Sequence, residues 1–276
     1  MMKGIDVAKW NGNIDWNKVK AAGVEFAVLK VIDKSNKTEA SFVRNYAAAV
    51  AVGMPADVYN YLYTITEAAA REAARAVVNA IAGRKIGKVW ADAEDACLKN
   101  KGIQLIRILN TYKAVIEAAG YEFGVYTGLS FYNSYIKPYK AYIDCDFWIA
   151  RYPSTKDMTI TMDPVASKKP SISHNLWGWQ YSSKGKISGI SGYVDLDICY
   201  TKVDSSGTVQ STTAYYPRYT GTSVSIVAAL NAVGVNSSYA TRKLIAKENG
   251  IAGYVGSPKQ NTQMLALLKN GKLKRI

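Results

Sequence analysis

Val89-Trp90-Ala91-Asp92-Ala93-Glu94-Asp95 is the stretch whose reading decides how the first two thirds of this chain fold. It opens as an apolar run and closes on acids, so it reads as a buried strand over Lys88–Ala93 that ends at a polar boundary. Side chains alternate across a strand, which puts Asp92 and Glu94 on one face. Before it lies the Ala-rich stretch Glu67–Ala82, opened by Thr66 and closed by Gly83. After it lies Gln104–Ala119, with Leu105, Ile108, Leu109, Tyr112, Val115 and Ile116 at helical spacing and Gly120 as the stop. A strand set between two helices is one beat of a β-α repeat.

The same beat extends in both directions. Towards the N-terminus, strands are expected at Ile5–Val7, Phe26–Ile32 and Pro55–Tyr61. Helices are expected at Asp15–Gly23 and, with Ser41 as N-cap, up to about Val52. Towards the C-terminus, Phe123–Tyr126 reads as a fifth strand, followed by a shorter helix near Leu129–Ile136. Phe147–Arg151, Leu176–Gln180 and Tyr193–Ile198 then read as strands joined by loops. Five β-α units followed by three strands imply an α/β fold, an irregular (β/α)5β3 TIM-like barrel whose missing last helices distort the regular form.

In a closed barrel the first and last strands are neighbours. Asp6 in the first strand and Asp195 in the last therefore belong at the same mouth as Asp92 and Glu94. Asp197 shares a face with Asp195 and competes with it for the role. An acid inside a strand is costly to bury without a purpose or a partner. Barrel enzymes keep their catalytic groups at the C-terminal mouth. Two adjacent carboxylates repel, so one of them holds its proton to higher pH. A glycosidase needs such a pair: an acid for the leaving oxygen, and a carboxylate to support the cation or act as nucleophile. An Asp-x-Glu triplet alone is a weak signal; its place at the end of an apolar strand strengthens it. Aromatics gather near the strand ends (Trp10, Tyr59, Tyr61, Tyr63, Trp90, Tyr126, Trp148, Tyr152, Trp177, Trp179, Tyr181), where sugars could stack, although at least half belong to the core.

Ser205 to Thr213 is small and polar and reads as a linker over 205–214, which divides a domain at 1–204 from one at 215–276. The C-terminal part is expected to be mainly helical. Its helices are Val224–Val233 with Ser223 as cap, Tyr239–Asn249 capped by Ser237 or Ser238, and Gln260–Asn270. So small a core would gain from docking or from a homo-oligomer. Charge is uneven: of a net +14, the residues from Ser205 onward carry nine Lys/Arg against the single acid Glu248. A concentrated positive field points to a polyanionic partner such as an anionic wall polymer.

Several residue runs resemble the family 25 glycoside hydrolases, the lysozymes of many phages and Gram-positive bacteria. They are Gly4-Ile5-Asp6-Val7 with Trp10-Asn11-Gly12 and Ile14-Asp15-Trp16, then Trp90-Ala91-Asp92-Ala93-Glu94, Gly124-Val125-Tyr126-Thr127, Phe147-Trp148-Ile149-Ala150-Arg151-Tyr152, Trp179-Gln180-Tyr181 and Gly189-Ile190-Ser191-Gly192-Tyr193-Val194-Asp195. They fall in order across residues 4 to about 200. The resemblance implies a barrel of eight strands and five helices that hydrolyses the β-1,4 bond from N-acetylmuramic acid to N-acetylglucosamine in peptidoglycan. It implies Glu94 as proton donor, with Asp92 as nucleophile or as the group orienting the substrate's acetamido oxygen. Asp6 and Asp195 complete the cluster, and Tyr61, Tyr126, Trp148 and Gln180 hold sugars. Tyr59-Asn60-Tyr61 departs from the family's habit of a histidine between aromatics, a change expected to alter a subsite contact. The C-terminal stretch resembles wall-binding modules of phage endolysins, through Tyr216-Pro217-x-Tyr219-x-Gly221, Arg242-x-x-Ile245-Ala246, Asn249-Gly250-Ile251 and Leu265-x-x-Leu268-Lys269-x-Gly271-x-Leu273.

The competing readings are a glucosaminidase or chitinase on the same barrel, since fold does not fix function, and a non-catalytic wall binder. No cofactor is expected, and no metal: the chain has three widely spaced cysteines and one histidine, His174. The cysteines read as buried reduced thiols. The tail lacks a nucleic-acid-binding signature, and no segment has the roughly 20 apolar residues of a membrane span. Met1 to Asp6 carries no apolar leader, so the protein is expected to be made in the host cytoplasm and to act on the wall after release.

Overall fold

The computed structural model describes residues 1–201, 203, 215–233, 235 and 237–274. The chain divides into two compact units, residues 1–209 and 210–276. The linker expected over 205–214 lies outside the described residues.

The first unit is a closed eight-stranded barrel with neighbours in sequence order: β1 (Met2–Val7), β2 (Phe26–Lys30), β3 (Ala56–Tyr61), β4 (Lys88–Asp92), β5 (Glu122–Gly128), β6 (Asp146–Ala150), β7 (Leu176–Gly185) and β8 (Val194–Cys199). Strands β1 to β7 are mutually parallel. β8 is antiparallel to both β7 and β1. The connection from Gly185 to Val194 is too short to carry a parallel crossover, which needs a dozen or more residues, so the last strand must run back. β7 extends past the expected Gln180 to Gly185, with bulges where it meets β8.

Helices α1 (Trp16–Ala21), α2 (Phe42–Ala51), α3 (Glu67–Ile81) and α4 (Ile103–Ala118) follow the first four strands. Asp15 and Thr66 cap α1 and α3 by accepting from Lys18 N and Ala69 N. Ser41 stands at the cap position of α2 but makes no capping bond. Its hydroxyl donates instead to Glu39 Oε2 at 2.6 Å. The helix expected near Leu129–Ile136 is one α-turn, α5 (Leu129–Phe131), continued by a π-turn at Tyr132–Ile136 and 3-10 turns over Lys137–Tyr142.

Two apolar layers follow from strand alternation. Ile5, Val7, Ala27, Leu29, Val58, Val89, Ala91 and Val125 point outward and pack under the helices. Phe26, Val28, Trp90, Tyr126, Trp148, Trp177 and Cys199 fill the barrel. Two glycines make room for the rings. A Cβ on Gly4 would lie 2.5 Å from the Phe26 ring, and one on Gly124 would overlap the Trp90 ring. Below the rings, Asp57 is buried and accepts from Lys88 N (2.8 Å) and Trp90 Nε1 (3.0 Å). Cys97, Cys145 and Cys199 are all free; Cys199 is buried and the other two are half-buried.

The second unit packs α6 (Ile226–Ala232), α7 (Tyr239–Glu248) and α8 (Pro258–Lys269) around Leu230, Ile245, Met264, Leu268 and Leu273. The cap of α6 is Ser225, two residues beyond the expected Ser223. Ser238 caps α7, and Ser257 with Gln260 forms a capping box that starts α8 at Pro258. Among the described residues no helix is long and apolar enough to cross a membrane.

Candidate active site

The inward-facing register positions of the upper strands form a ring. Asp6 on β1 pairs in register with Asp195 on β8. Gln180 on β7 pairs with Asp197. Tyr61 on β3 pairs with Asp92 on β4, and Asp92 pairs with Tyr126 on β5. Glu94 lies just past the end of β4, in the loop that leads to a 3-10 turn at Ala96–Leu98. The strand ends at Asp92, two residues earlier than a strand reaching Glu94 requires. The four carboxylates named from sequence nevertheless meet: the charge of Glu94 acts on Asp6, Asp92 and Asp195, and the charge of Asp195 acts on Asp6.

Burial grades these acids. Asp92 is only 4% exposed, and desolvation, then the charges of Glu94 and Asp6, push its pKa well above the ordinary carboxylate value. Lys30 opposes that shift, and no donor is aimed at Asp92 Oδ1. Glu94 is half-buried, and its pKa is raised by desolvation and by the charge of Asp95. Asp195 is raised to about 6 by desolvation and by Glu94. Asp95 goes the other way. It caps the Ala96–Leu98 turn through Cys97 N at 2.8 Å, a bond that lowers its pKa, and it accepts the Tyr61 hydroxyl at 3.2 Å.

A relay of neutral groups holds Asp6. Gln180 Nε2 donates to Asp6 Oδ2 at 2.7 Å. Gln180 Oε1 accepts the Tyr126 hydroxyl at 2.7 Å and also the Tyr152 hydroxyl. With both hydroxyls on the amide oxygen, the amide nitrogen must face Asp6. Asp197, fully buried, accepts from Trp148 Nε1 at 2.9 Å through Oδ1. Its Oδ2 has no hydrogen-bond partner, and the neighbouring charge of Asp6 helps to raise its pKa. Asp6 and Asp197 are thus a pair of neighbouring buried carboxyls. Burial raises both members well above the ordinary value.

The sugar-holding residues expected from sequence occupy unequal places. Tyr61 is half-buried at the mouth and stacks on Tyr63 with centroids 4.8 Å apart. Tyr126 and Gln180 are buried, and their polar atoms are committed to the Asp6 relay. Trp148 is 1% exposed, wedged between Trp90 and Tyr126, with its N–H on Asp197. It is a floor beneath the acids rather than an open stacking platform. Asn60 also departs from expectation. Strand alternation turns it outward, where it donates to the Tyr112 hydroxyl on α4 at 3.3 Å, so it faces no subsite. Open rings at the mouth belong to Tyr63 and Tyr152, which the sequence marks only among the strand-end aromatics where sugars could stack. Lys30, 5.7 Å from the Tyr61 ring centre, is a further site residue that no local pattern marks. No cluster of His, Cys, Asp and Glu able to hold a metal occurs among the described residues.

Known proteins share this chain's pattern. The autolytic lysozyme of Clostridium acetobutylicum is 28% identical over 75% of this chain and 59% of its own length. A lysozyme of Streptomyces globisporus is 24% identical over 70% of this chain and 66% of its own length. The chain thus spans less than two thirds of either relative. The catalytic domain of an endolysin from a bacteriophage of Listeria monocytogenes superposes with a TM-score of 0.58 over 74% of this chain and 95% of that domain, at 23% identity, a likeness of fold. The family model of the glycosyl hydrolases family 25 matches residues 5–190, well over half of the chain, stopping short of β8 and its two aspartates. With a closed barrel of β-α units and acids gathered at its C-terminal mouth, the chain belongs to the family 25 glycosyl hydrolases.

Proposed function

We propose that this protein is a muramidase that cleaves the β-1,4 bond between N-acetylmuramic acid and N-acetylglucosamine in peptidoglycan. The observation that carries the reading is a half-buried Glu94 at the lip of the barrel, whose charge acts on the buried Asp92 and Asp6 and on the half-buried Asp195. The two lysozymes among its relatives support the choice of substrate. Glu94 is the acid that protonates the glycosidic oxygen. Burial raises both acids in the free site, and the reaction uses Glu94 in its protonated form and Asp92 as the carboxylate. A sugar seated over the mouth removes the water that reaches Glu94 and raises its pKa further, while Asp92 has little hydration left to lose. As the leaving oxygen takes the Glu94 proton, positive charge grows on the ring. Asp92 stabilises it as nucleophile or by orienting the substrate's acetamido oxygen. Asp6 and Asp195 supply the surrounding negative field, and Gln180 fixes the angle of Asp6.

The second unit is read as the anchor that holds the enzyme on the wall, with anionic wall polymers as its partner, because nine cations face a single acid after Ser205. Domain limits of 1–204 and 215–276, action on the wall of a lysing host in the manner of a phage endolysin, and self-association through the second unit belong to the same proposal.

The test is digestion of purified Gram-positive walls, borohydride reduction of the new ends and identification of the reduced sugar. Muramitol from the wild type, with a loss of about a hundredfold or more in Glu94→Gln, is the expected result. Glucosaminitol would replace the bond specificity. Full activity in Glu94→Gln would remove Glu94 from the acid's role.

A further inference from the structure

The mouth has an acidic floor and, along part of its rim, exposed aromatic rings that carry ammonium groups. After β1, Lys9 Nζ lies 4.6 Å from the ring centre of Trp10, a side chain 81% exposed. From the segments after β2 and β3, Lys34 Nζ lies 4.8 Å from the ring of Tyr63. At the end of β7 and just after it, Lys184 and Lys186 lie 4.2 and 4.0 Å from the ring of Tyr193. These stations share one end of the barrel by topology. Segments that follow β1, β2, β3 and β7 open at the C-terminal mouth, and so does the segment before the antiparallel β8. Asn11 Nδ2 donates to the Tyr193 carbonyl at 3.2 Å and ties two of the stations together. Tyr63 stacks on Tyr61, whose hydroxyl reaches Asp95 beside Glu94.

The ring faces restrain these ammoniums. None of the four lysines has a carboxylate within ion-pair distance among the described residues: the ion pairs there use Lys3, Lys18, Arg75, Lys88 and Lys113. Carboxylates stand nearby (Lys34 helps to lower the pKa of Asp95, Lys9 that of Asp33, and Asp157 accepts the Tyr193 hydroxyl at 2.9 Å), but none closes an ion pair with these lysines, so the ammoniums remain available to a ligand. A neutral glycan alone is held by ring faces and hydrogen bonds and has no use for unpaired cations. A strand that carries carboxylates beside the sugars would be repelled by Glu94, Asp95 and Asp195, and the rim offsets that repulsion along the β7–β8–β1–β2–β3 side.

We propose that this rim recognises the free carboxylates of the peptide stems on the bound glycan strand, making the enzyme selective for acidic stems. The inference rests on the muramidase reading and adds to it the part of the substrate that is not sugar.

The experiment uses walls freed of anionic polymers by hydrofluoric acid, so that peptide carboxylates are the remaining anions. Half of the material is treated with carbodiimide and ammonia, which turns the carboxylates into amides. Initial rates of muramic-end release are compared for the full-length wild type and for Lys34→Gln/Lys184→Gln/Lys186→Gln. At about 50 mM salt the wild type should cleave the untreated walls about fivefold faster or more, through a lower KM, and at about 0.5 M salt the gap should close. The triple variant should cleave both walls alike, near the wild-type rate on amidated walls. Equal wild-type rates on the two walls, or a preference that survives the three substitutions, would overturn the proposal. Absence of muramic ends from both walls would overturn the muramidase reading itself, and the identity of the new end tells the two failures apart.

Discussion

Asp197 lies one step deeper in the barrel than Asp195, opposite Gly4 rather than Asp6, and it is the side chain that ties the acids to the aromatic floor. Asp197→Asn would leave an oxygen for Trp148 Nε1 and replace the carboxyl beside Asp6 with an uncharged amide. Asp6 would then ionise more readily. The expected outcome is a folded enzyme whose pH–rate profile moves to lower pH on its acid side by about half a unit or more; an unchanged profile would show that Asp197 does not influence the ionisation of Asp6. Asp197→Ala would strand the Trp148 N–H and should lower stability by about 1–3 kcal/mol in a urea titration. Asp6, Asp92, Glu94 and Asp195 were legible in the sequence because acids at the ends of apolar strands are rare and strand parity says which way they point. Asp197 was legible only as a rival of Asp195, whereas the structure employs both. The Gln180 relay, the burial of Trp148 and the cation of Lys30 were not legible. Each depends on which residue of a distant strand lies opposite, and no local pattern carries that information.

At the scale of elements, β5 is shaped by one missing side chain. Gly124→Ala would drive a methyl into the ring of Trp90, which packs on Trp148 and Trp177 and donates to the buried Asp57. The ring cannot move without breaking that bond, so the substitution should lower unfolding free energy by about 2 kcal/mol or more, measured by denaturant titration. A loss below about 0.5 kcal/mol would mean that the barrel interior yields easily. The positions of the strands and of α1 to α4 were read well from apolar periodicity and glycine stops. Helix starts were read less well. The cap depends on which serine can reach a free backbone N–H: Ser225 rather than Ser223, and Ser257 where none was named. Ser41 loses its capping role to the stronger acceptor Glu39.

For the whole molecule, the acids set an unusual pH response. Asp57 and Asp195 are raised from an ordinary 3.8 to about 6, and Asp6, Asp92 and Asp197 are also raised well above the ordinary value. Each binds its proton more tightly folded than unfolded. Between pH about 4 and 6 the folded state therefore holds more protons than the unfolded chain, and stability falls as pH rises through that window. The barrel should melt at a higher temperature near pH 5 than near pH 7, measured by calorimetry at constant ionic strength. A higher melting temperature at pH 7 would contradict the burial of these groups. The closed barrel itself was legible from the count of strands. The reversal of β8 was latent in the short connection between Gly185 and Val194, since a parallel return needs more chain.

That reversed strand also governs when the barrel can come into being. β8 is the seam: it pairs Met2 with Cys199 and Asp6 with Asp195, joining the first strand of the barrel to its last. On a ribosome β1 emerges early and waits through the making of seven further strands with an open edge, while its later companions add only to its other side. Such distant pairings are slow to form, and unpaired edges invite association between chains. The acid cluster is assembled across this same seam, so the chain gains its complete set of carboxylates only in the step that closes the wall.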